Sequence, residues 1–153
     1  MAIATTHIRP ATQQDIDEMI LLLKDLFTIE ADFQYNPANQ AAALELLLVS
    51  DQGLVLVAEQ DEEVVGMCSG QIVISTAEGG PALLVEDVVV RQGARGQGVG
   101  GKLLRTLASW AASRNIVRMQ LLVDRANEPA LAFYRKAGWQ STQMICLRSH
   151  AGT

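Results

Sequence analysis

A glycine-rich segment of the chain combines residue types suited to binding a phosphate group. Four glycines lie within six positions, directly after an arginine, in the sequence Arg95-Gly-Gln-Gly-Val-Gly-Gly101. The apolar run before this segment predicts a strand, and the periodic pattern after it predicts a helix. The first N–H groups of a helix lack partners within the helix, and glycines let the backbone approach an anion closely. The segment is therefore predicted to hold a phosphate or pyrophosphate, since a structural turn needs only one or two glycines.

The same glycines also match the dinucleotide fingerprint G-x-G-x-x-G, with Asp124 about two dozen residues further along the chain. Residues 91–95, however, separate the predicted strand from the first glycine, and fewer than 60 residues follow that glycine. This is too little chain for two mononucleotide-binding halves. Dinucleotide binding is therefore the weaker interpretation.

Charge is distributed very unequally along the chain, although the net charge is only −5. Residues 1–90 contain 15 acidic and 2 basic side chains, whereas residues 91–153 contain 2 acidic and 10 basic ones. Such asymmetry favours an anion held by the second half and a cation near the first. The alternative is that the solvated faces simply differ in sign.

The elements that must position these residues follow from hydrophobic periodicity and turn signals. Two amphipathic helices precede a β-hairpin, and a strand, a helix and a second strand then form a βαβ unit whose strands should be parallel. The expected elements are a helix from Thr12 to Phe27, a helix from Asn39 to Val49, strands Leu54–Glu59, Val64–Ser75 and Leu83–Val90, a helix from Val99 to Ala111, a strand Arg118–Asp124, a helix from Pro129 to Gly138, and a last strand Gln140–Leu147.

Length and composition limit the classes of protein that remain. The 153 residues, of which 49% are hydrophobic, predict a single domain over residues 1–153. No apolar stretch approaches the ~20 residues that cross a bilayer, so a cytoplasmic protein with no membrane or nucleic-acid partner is expected. Cys68 and Cys146 lie far apart without neighbouring histidines. We therefore expect no metal site and two free, mostly buried thiols.

Two motifs together resemble the GCN5-related N-acetyltransferases, the GNAT family. The segment Arg95-Gly-Gln-Gly-Val-Gly100 is similar to the family's acetyl-CoA-binding motif [RQ]-x-x-G-x-[GA], and the segment from Asn127 to Trp139 is similar to its second signature, N-x-x-A-x-x-[FL]-Y. The resemblance implies an α+β fold with three α/β/α layers. It further implies a mixed, mostly antiparallel sheet whose central parallel βαβ pair is splayed to hold acetyl-CoA.

The motifs also resemble, within the family, the diamine, polyamine and thialysine acetyltransferase branch, because Glu86-Asp87 lies in the strand before the glycines and Asn127-Glu-Pro129 follows later. This branch implies a homodimer that acts on a small-molecule amine.

The resemblance places the cofactor contacts on two parts of the chain. Backbone groups of the strand end would bind the pantetheine arm, since two strands that splay apart leave N–H and C=O groups that an extended amide chain can satisfy. Asn127 can equally be the cap of the helix that starts near Pro129. The implied cofactor-binding residues are Val88, Val89, Val90, Arg95, Gly96, Gln97, Gly98, Val99, Gly100, Gly101, Asn127 and Tyr134.

Acetyl transfer to an amine needs a base for the amine, a donor for the carbonyl oxygen and an acid for the departing thiolate. Glu86 is the predicted base, because an apolar strand should raise its pKa if it faces the cleft. Alternation puts Glu86 and Asp87 on opposite faces, so one of them should be exposed. A backbone N–H near Val88 is expected to bind the oxyanion, and Tyr134 is the predicted general acid.

An acidic lining would favour a cationic acceptor, and the acidic residues predicted to bind it are Glu30, Asp32 and Asp87. Those carboxylates can also be the solvated face of the helices. The expected function is thus an N-acetyltransferase for a small amine. The alternatives are a protein or peptide N-acetyltransferase and a noncatalytic acyl-CoA-binding module.

Overall fold

The computed structural model of the chain describes residues 4–30 and 32–152. The chain divides into two compact units, Met1–Leu121 and Leu122–Thr153. The elements described in the first unit are strands β1 (His7–Pro10), β2 (Gly53–Gln60), β3 (Glu63–Ser75), β4 (Gly80–Val90) and β5 (Met119–Gln120), and helices α1 (Ile16–Ile29), α2 (Pro37–Val49) and α3 (Val99–Ser113); the second unit contains helix α4 (Glu128–Lys136).

The sheet of the first unit has the strand order β1-β2-β3-β4-β5. Every neighbouring pair is antiparallel except β4 and β5, which are parallel and connected through α3. The predicted mixed, mostly antiparallel sheet with one parallel βαβ pair is therefore confirmed. β5 pairs with β4 only at Leu83 and Leu84.

Side chains on β3 alternate between two helical layers. Met67 is completely buried in a cluster with residues of α1 and α2, such as Met19, Leu23 and Leu44. The positions on either side of Met67 face α3, since a Cβ added at Gly66 would lie 3.3 Å from Leu103. Because successive strand residues point to opposite faces, α1 and α2 cover one face of the sheet and α3 covers the other.

Side-chain caps stabilise the starts of two helices in the first unit. The backbone N–H of Thr12 donates to Asp15 Oδ2 at 2.7 Å, which completes the capping box before α1. The same carboxylate accepts a hydrogen bond from Arg9 at 2.7 Å. Asn36 caps α2 by accepting from the N–H of Asn39 at 3.2 Å. Of the helices described, none is long and apolar enough to cross a membrane.

The structure corrects four predictions. β1 was not expected, because its residues His7–Pro10 lack a periodic pattern. β5 is far shorter than the expected strand Arg118–Asp124. Residues Gln140–Leu147 do not form the expected strand. A strand needs a hydrogen-bonded neighbour, and the side chains of Met144, Ile145 and Leu147 in this segment are 69 to 87% exposed. Both cysteines are free, but only Cys68 is buried; Cys146 is exposed.

Candidate active site

The glycine-rich loop connects β4 to α3 through left-handed backbone. Gly96 has φ +77° and Gly98 has φ +80°, a region that residues with a Cβ avoid. A Cβ at either position would meet no atom within 4 Å, so the space beside the loop is open. No side chain caps α3 at Gly98, which leaves the first N–H groups of the helix available to an anion. These residues fit a pyrophosphate.

A buried glutamine fixes this loop to the sheet. Gln60, the last residue of β2, is 8% exposed, and its Nε2 donates to Gln97 Oε1 at 3.1 Å and to Thr6 Oγ1 at 2.9 Å. Lys102 Nζ lies 3.4 Å from the carbonyl oxygen of Thr6. Gln60 was not predicted from the sequence, where its only signal is a polar residue that ends an apolar strand.

Arg95 is turned toward the strand that precedes the loop. Its Nε donates to the carbonyl oxygen of Val90 at 2.9 Å, and the residue is exposed. A phosphate contact by Arg95 would require the guanidinium to leave this carbonyl. Val89 is 6% exposed and packs in the core, whereas Val88 is half-buried.

A β-bulge interrupts β4 at the predicted pantetheine site. Met67 pairs with Val89 while Ser69 pairs with Glu86, so β4 contains one residue more than β3 over this stretch. Asp87 has φ +55°, the left-handed conformation that aspartate and asparagine tolerate better than most residues. The extra residue of a bulge is left out of the hydrogen-bond ladder, and bulges often redirect a side chain beside an active site. The bulge lies where backbone contacts with the pantetheine arm are expected, and those contacts stay a prediction.

The two neighbouring carboxylates differ in burial, as alternation predicts. Glu86 is exposed, whereas Asp87 is half-buried. Burial first, and then the negative charges of Glu86 and Glu30, raise the pKa of Asp87 to about 7. Glu30 directly follows α1, and its charge acts on Asp87 from a second element of the fold. Asp32 lies in the following turn and is exposed.

A proton acceptor with a pKa near neutrality is suited to general base catalysis. The raised carboxylate pKa expected of the base is found at Asp87, next to Glu86, the residue predicted as the base. In the part of the chain that the structure describes, no three His, Cys, Asp or Glu residues are grouped so that they could hold a metal ion.

Two residues of β3 lie against the bulge. Ser69 is 1% exposed, and its hydroxyl donates to the carbonyl oxygen of Glu86 at 3.2 Å. A hydrogen bond from Ser69 also opposes the rise in the pKa of Asp87. Cys68 is buried, and burial with the nearby charge of Asp87 raises the pKa of its thiol to about 12. A thiol that stays protonated is a poor nucleophile, so Cys68 is unsuited to carrying an acyl group.

In the second unit, α4 presents the other two predicted site residues. Asn127 accepts a hydrogen bond from the N–H of Ala130 at 3.2 Å, so it caps α4. Tyr134 is half-buried between two aromatic rings, with centroids 5.1 Å from Phe133 and 5.8 Å from Trp139. The cap role of Asn127 is confirmed, and its cofactor role stays a prediction, as does the acid role of Tyr134.

Comparison with known families decides the identity of the chain. The family model described as the acetyltransferase (GNAT) family matches residues 18–139. The chain belongs to the GNAT family. Membership confirms the predicted GNAT-like fold and, at the level of the family, the predicted acyltransferase class and acetyl-CoA as the cosubstrate.

Two curated proteins are similar to this GNAT chain. A streptothricin acetyltransferase from Streptomyces lavendulae is 34% identical over 74 residues, which cover 48% of this chain but only 39% of that protein. An uncharacterized N-acetyltransferase from Archaeoglobus fulgidus is 29% identical over 130 residues, covering 84% of this chain and 88% of that protein. The polyamine branch is not specifically supported by these relatives.

Solved structures share the GNAT fold over nearly the whole chain. A protein named a transcriptional regulator from Bacillus halodurans C-125 has 27% identity and a TM-score of 0.84, with 95% of this chain and 99% of that chain covered. The aminoglycoside N-acetyltransferase AAC(6')-Iy, solved in complex with CoA, has 16% identity and a TM-score of 0.84, with 98% and 97% covered. The second likeness concerns the fold alone.

Proposed function

We propose that this protein transfers the acetyl group of acetyl-CoA to a primary amine of a small cationic acceptor, by direct attack of the amine in a ternary complex. Acetyl-CoA supplies the thioester carbonyl carbon and a thiolate leaving group. The observation that carries the proposal is the group of carboxylates at the bulge of β4, immediately before the glycine-rich loop. Glu30, Glu86 and Asp87 together create a negative potential that favours a cation.

The proton steps are assigned to two residues. The lone pair of a neutral amine attacks, so an alkylammonium of ordinary pKa about 10.4 must first lose a proton near neutral pH. Asp87 is our proposed acceptor of this proton, in preference to the exposed Glu86. Tyr134 is the proposed donor to the thiolate as the C–S bond breaks and the C–N bond forms. The buried thiol of Cys68 supports direct attack over an acyl-cysteine route in the first unit.

The remaining cofactor contacts follow from the geometry of the loop. The proposed pyrophosphate site consists of the N–H groups from Gly96 to Gly101 at the start of α3. Backbone groups at Val88 and Val90 are proposed to bind the pantetheine arm beside the bulge. Glu30, Asp32 and Asp87 are proposed to hold the acceptor.

The first experiment measures thiol release from acetyl-CoA with a panel of acceptors, and product masses identify the acetylated amine. The panel contains spermidine, spermine, putrescine, thialysine and lysine, together with short peptides. Streptothricin and aminoglycosides are included because they appear in the names of a relative and a structural neighbour. Turnover of a small polycation supports the proposal. Turnover of peptides alone, or acetyl-CoA binding without any turnover, overturns it.

The second experiment separates the two neighbouring carboxylates. Asp87→Asn and Glu86→Gln remove one charge each from the same strand, at a half-buried and an exposed position. We expect Asp87→Asn to lower kcat by about 10² to 10⁴ and to abolish the acidic limb of the pH–rate profile, with a smaller effect from Glu86→Gln. The reverse ranking would assign the base to Glu86. Tyr134→Phe should lower kcat by a similar factor, and near wild-type turnover would remove Tyr134 from the mechanism.

We also propose a homodimer in the cytoplasm. The dimer is supported by three exposed apolar side chains that lie close together in the sequence of the second unit, Met144, Ile145 and Leu147. Exposed apolar patches often mark association surfaces. Light scattering coupled to gel filtration measures the mass. A monomer at all concentrations would contradict the dimer, and a dimer that dissociates on Ile145→Ser would locate its interface.

A further inference from the structure

Ser69 is a buried residue of β3 whose hydroxyl lies opposite the bulge of β4. It belongs to the few buried polar residues described, together with Asp15 and Gln60. Asp15 is bound by Arg9, and Gln60 holds Thr6 and Gln97. Ser69 instead lies directly opposite Glu86, next to the extra residue of the bulge.

The Ser69 hydroxyl has a single hydrogen and two acceptors within its reach. Its Oγ lies 3.2 Å from the carbonyl oxygen of Glu86, and it also hydrogen bonds with the carboxyl of Asp87. A hydroxyl can donate one hydrogen bond and accept two. When Asp87 is ionised, the hydroxyl can donate to the carboxylate. When Asp87 is protonated, the carboxyl can donate to Oγ while the hydroxyl donates to the Glu86 carbonyl.

We propose that Ser69 is a positioning residue for Asp87, whose carboxyl it holds in the bulge by changing hydrogen-bond acceptor as that carboxyl gains and loses a proton. This inference rests on the proposed function, because Ser69 acts only through Asp87. This positioning role explains why the polar side chain of Ser69 is buried on β3, where the neighbouring residues are apolar.

The charged groups around Asp87 change its pKa in the opposite direction from Ser69. Glu86 on the same strand and Glu30 at the end of α1 both favour the protonated carboxyl by their negative charge. Cys68 on β3 stays a neutral thiol in the physiological range. Removing the Ser69 hydroxyl should therefore raise the pKa of Asp87 further. The acidic limb of the pH–rate profile should move to higher pH with it.

The test follows the Asp87 carboxyl directly. The protein is labelled with ¹³C at aspartate carboxyl carbons, the Asp87 signal is assigned by its absence in Asp87→Asn, and its midpoint is measured from pH 4 to 9. Ser69→Ala should move the midpoint upward by about 0.5 to 1 pH unit. Ser75→Ala, at the far end of the same strand, is the matched control and should leave it unchanged. Ser69→Thr keeps the hydroxyl and should restore the wild-type midpoint.

An unchanged midpoint in folded Ser69→Ala would overturn the inference. If Ser69→Ala does not fold, a wild-type midpoint in Ser69→Thr together with a shifted one in Ser69→Cys supports it, and equal midpoints in both overturn it. The titration needs no acceptor, so it also separates this inference from the proposed function. A shifted midpoint alongside wild-type turnover in Asp87→Asn would retain the role of Ser69 and reject Asp87 as the base.

Discussion

Replacing Asp87 by asparagine should stabilise the fold while it lowers activity. The carboxyl has an ordinary pKa of 3.8 and a pKa of about 7 in the folded protein, so folding disfavours its ionised form. Asparagine has the same shape, bears no charge and tolerates the φ of +55° at this position. The substitution therefore removes the electrostatic cost and leaves the bulge intact.

The size of the effect depends on pH in a defined way. Below pH 3.8 the carboxyl is protonated in both the folded and the unfolded chain, so it costs nothing. Between about pH 4 and 7 the unfolded chain loses this proton first, and the stability of the wild type falls as pH rises. Above pH 7 the difference between the two pKa values corresponds to about 4 kcal/mol. Solvent at this half-buried site screens the charge, so we expect a gain of about 2 to 4 kcal/mol in Asp87→Asn.

Thermal unfolding at several pH values measures this gain. At pH 8 the Tm of Asp87→Asn should exceed that of the wild type by roughly 5 to 15 °C, and the difference should shrink toward pH 4. Glu86→Gln is the matched control, since the exposed neighbour should give no comparable gain. A difference in Tm that is absent, or equal at pH 5 and pH 8, would refute the argument that Asp87 is held at an electrostatic cost.

Gln60→Leu removes the hydrogen-bond donor that fixes Gln97 in the glycine-rich loop. The KM for acetyl-CoA should therefore rise about three- to tenfold with little change in kcat. An equal loss in kcat would show that Gln60 has a role other than positioning this loop. Gly98→Ala forces a Cβ onto a left-handed backbone at a cost of about 1 to 2 kcal/mol. Titration calorimetry should therefore measure a higher Kd for acetyl-CoA. An unchanged Kd would place the pyrophosphate away from this loop. In Asp15→Asn, urea unfolding at pH 7 should reveal a loss of about 1.5 to 3 kcal/mol. Arg9 lowers the pKa of Asp15, so this stability is present above the ordinary carboxyl range and disappears as pH falls through the lowered pKa; a difference that persists at pH 2 would contradict the ion pair.

The sequence predicted those parts of the fold whose physics is local. Four closely spaced glycines after an apolar strand specify a loop that must enter a helix, and the capping pattern at Thr12 specifies the start of α1. Both are determined by a few neighbouring residues. The strand predicted at Gln140–Leu147 was wrong for the opposite reason, because a β-prone run forms a strand only where another strand supplies hydrogen bonds.

For the candidate site, the sequence indicated the pair Glu86-Asp87 on β4, and alternation correctly required that one of the two carboxylates be exposed. The bulge itself has no sequence signature beyond an aspartate that tolerates positive φ. Ser69 and Gln60 were missed, since each is an isolated polar residue whose importance depends on partners distant in sequence.

The parallel pairing of β4 and β5 ends at Leu84, and this has a consequence for how the protein behaves when acetyl-CoA is scarce. Strand edges with unpaired amides are templates for association with other chains. If the pantetheine arm occupies the edge beyond Leu84, the amide of Val88 should exchange with deuterium slowly in the presence of the cosubstrate and quickly without it. The cosubstrate would then also protect the protein against aggregation, and supply of acetyl-CoA would determine its lifetime as well as its rate.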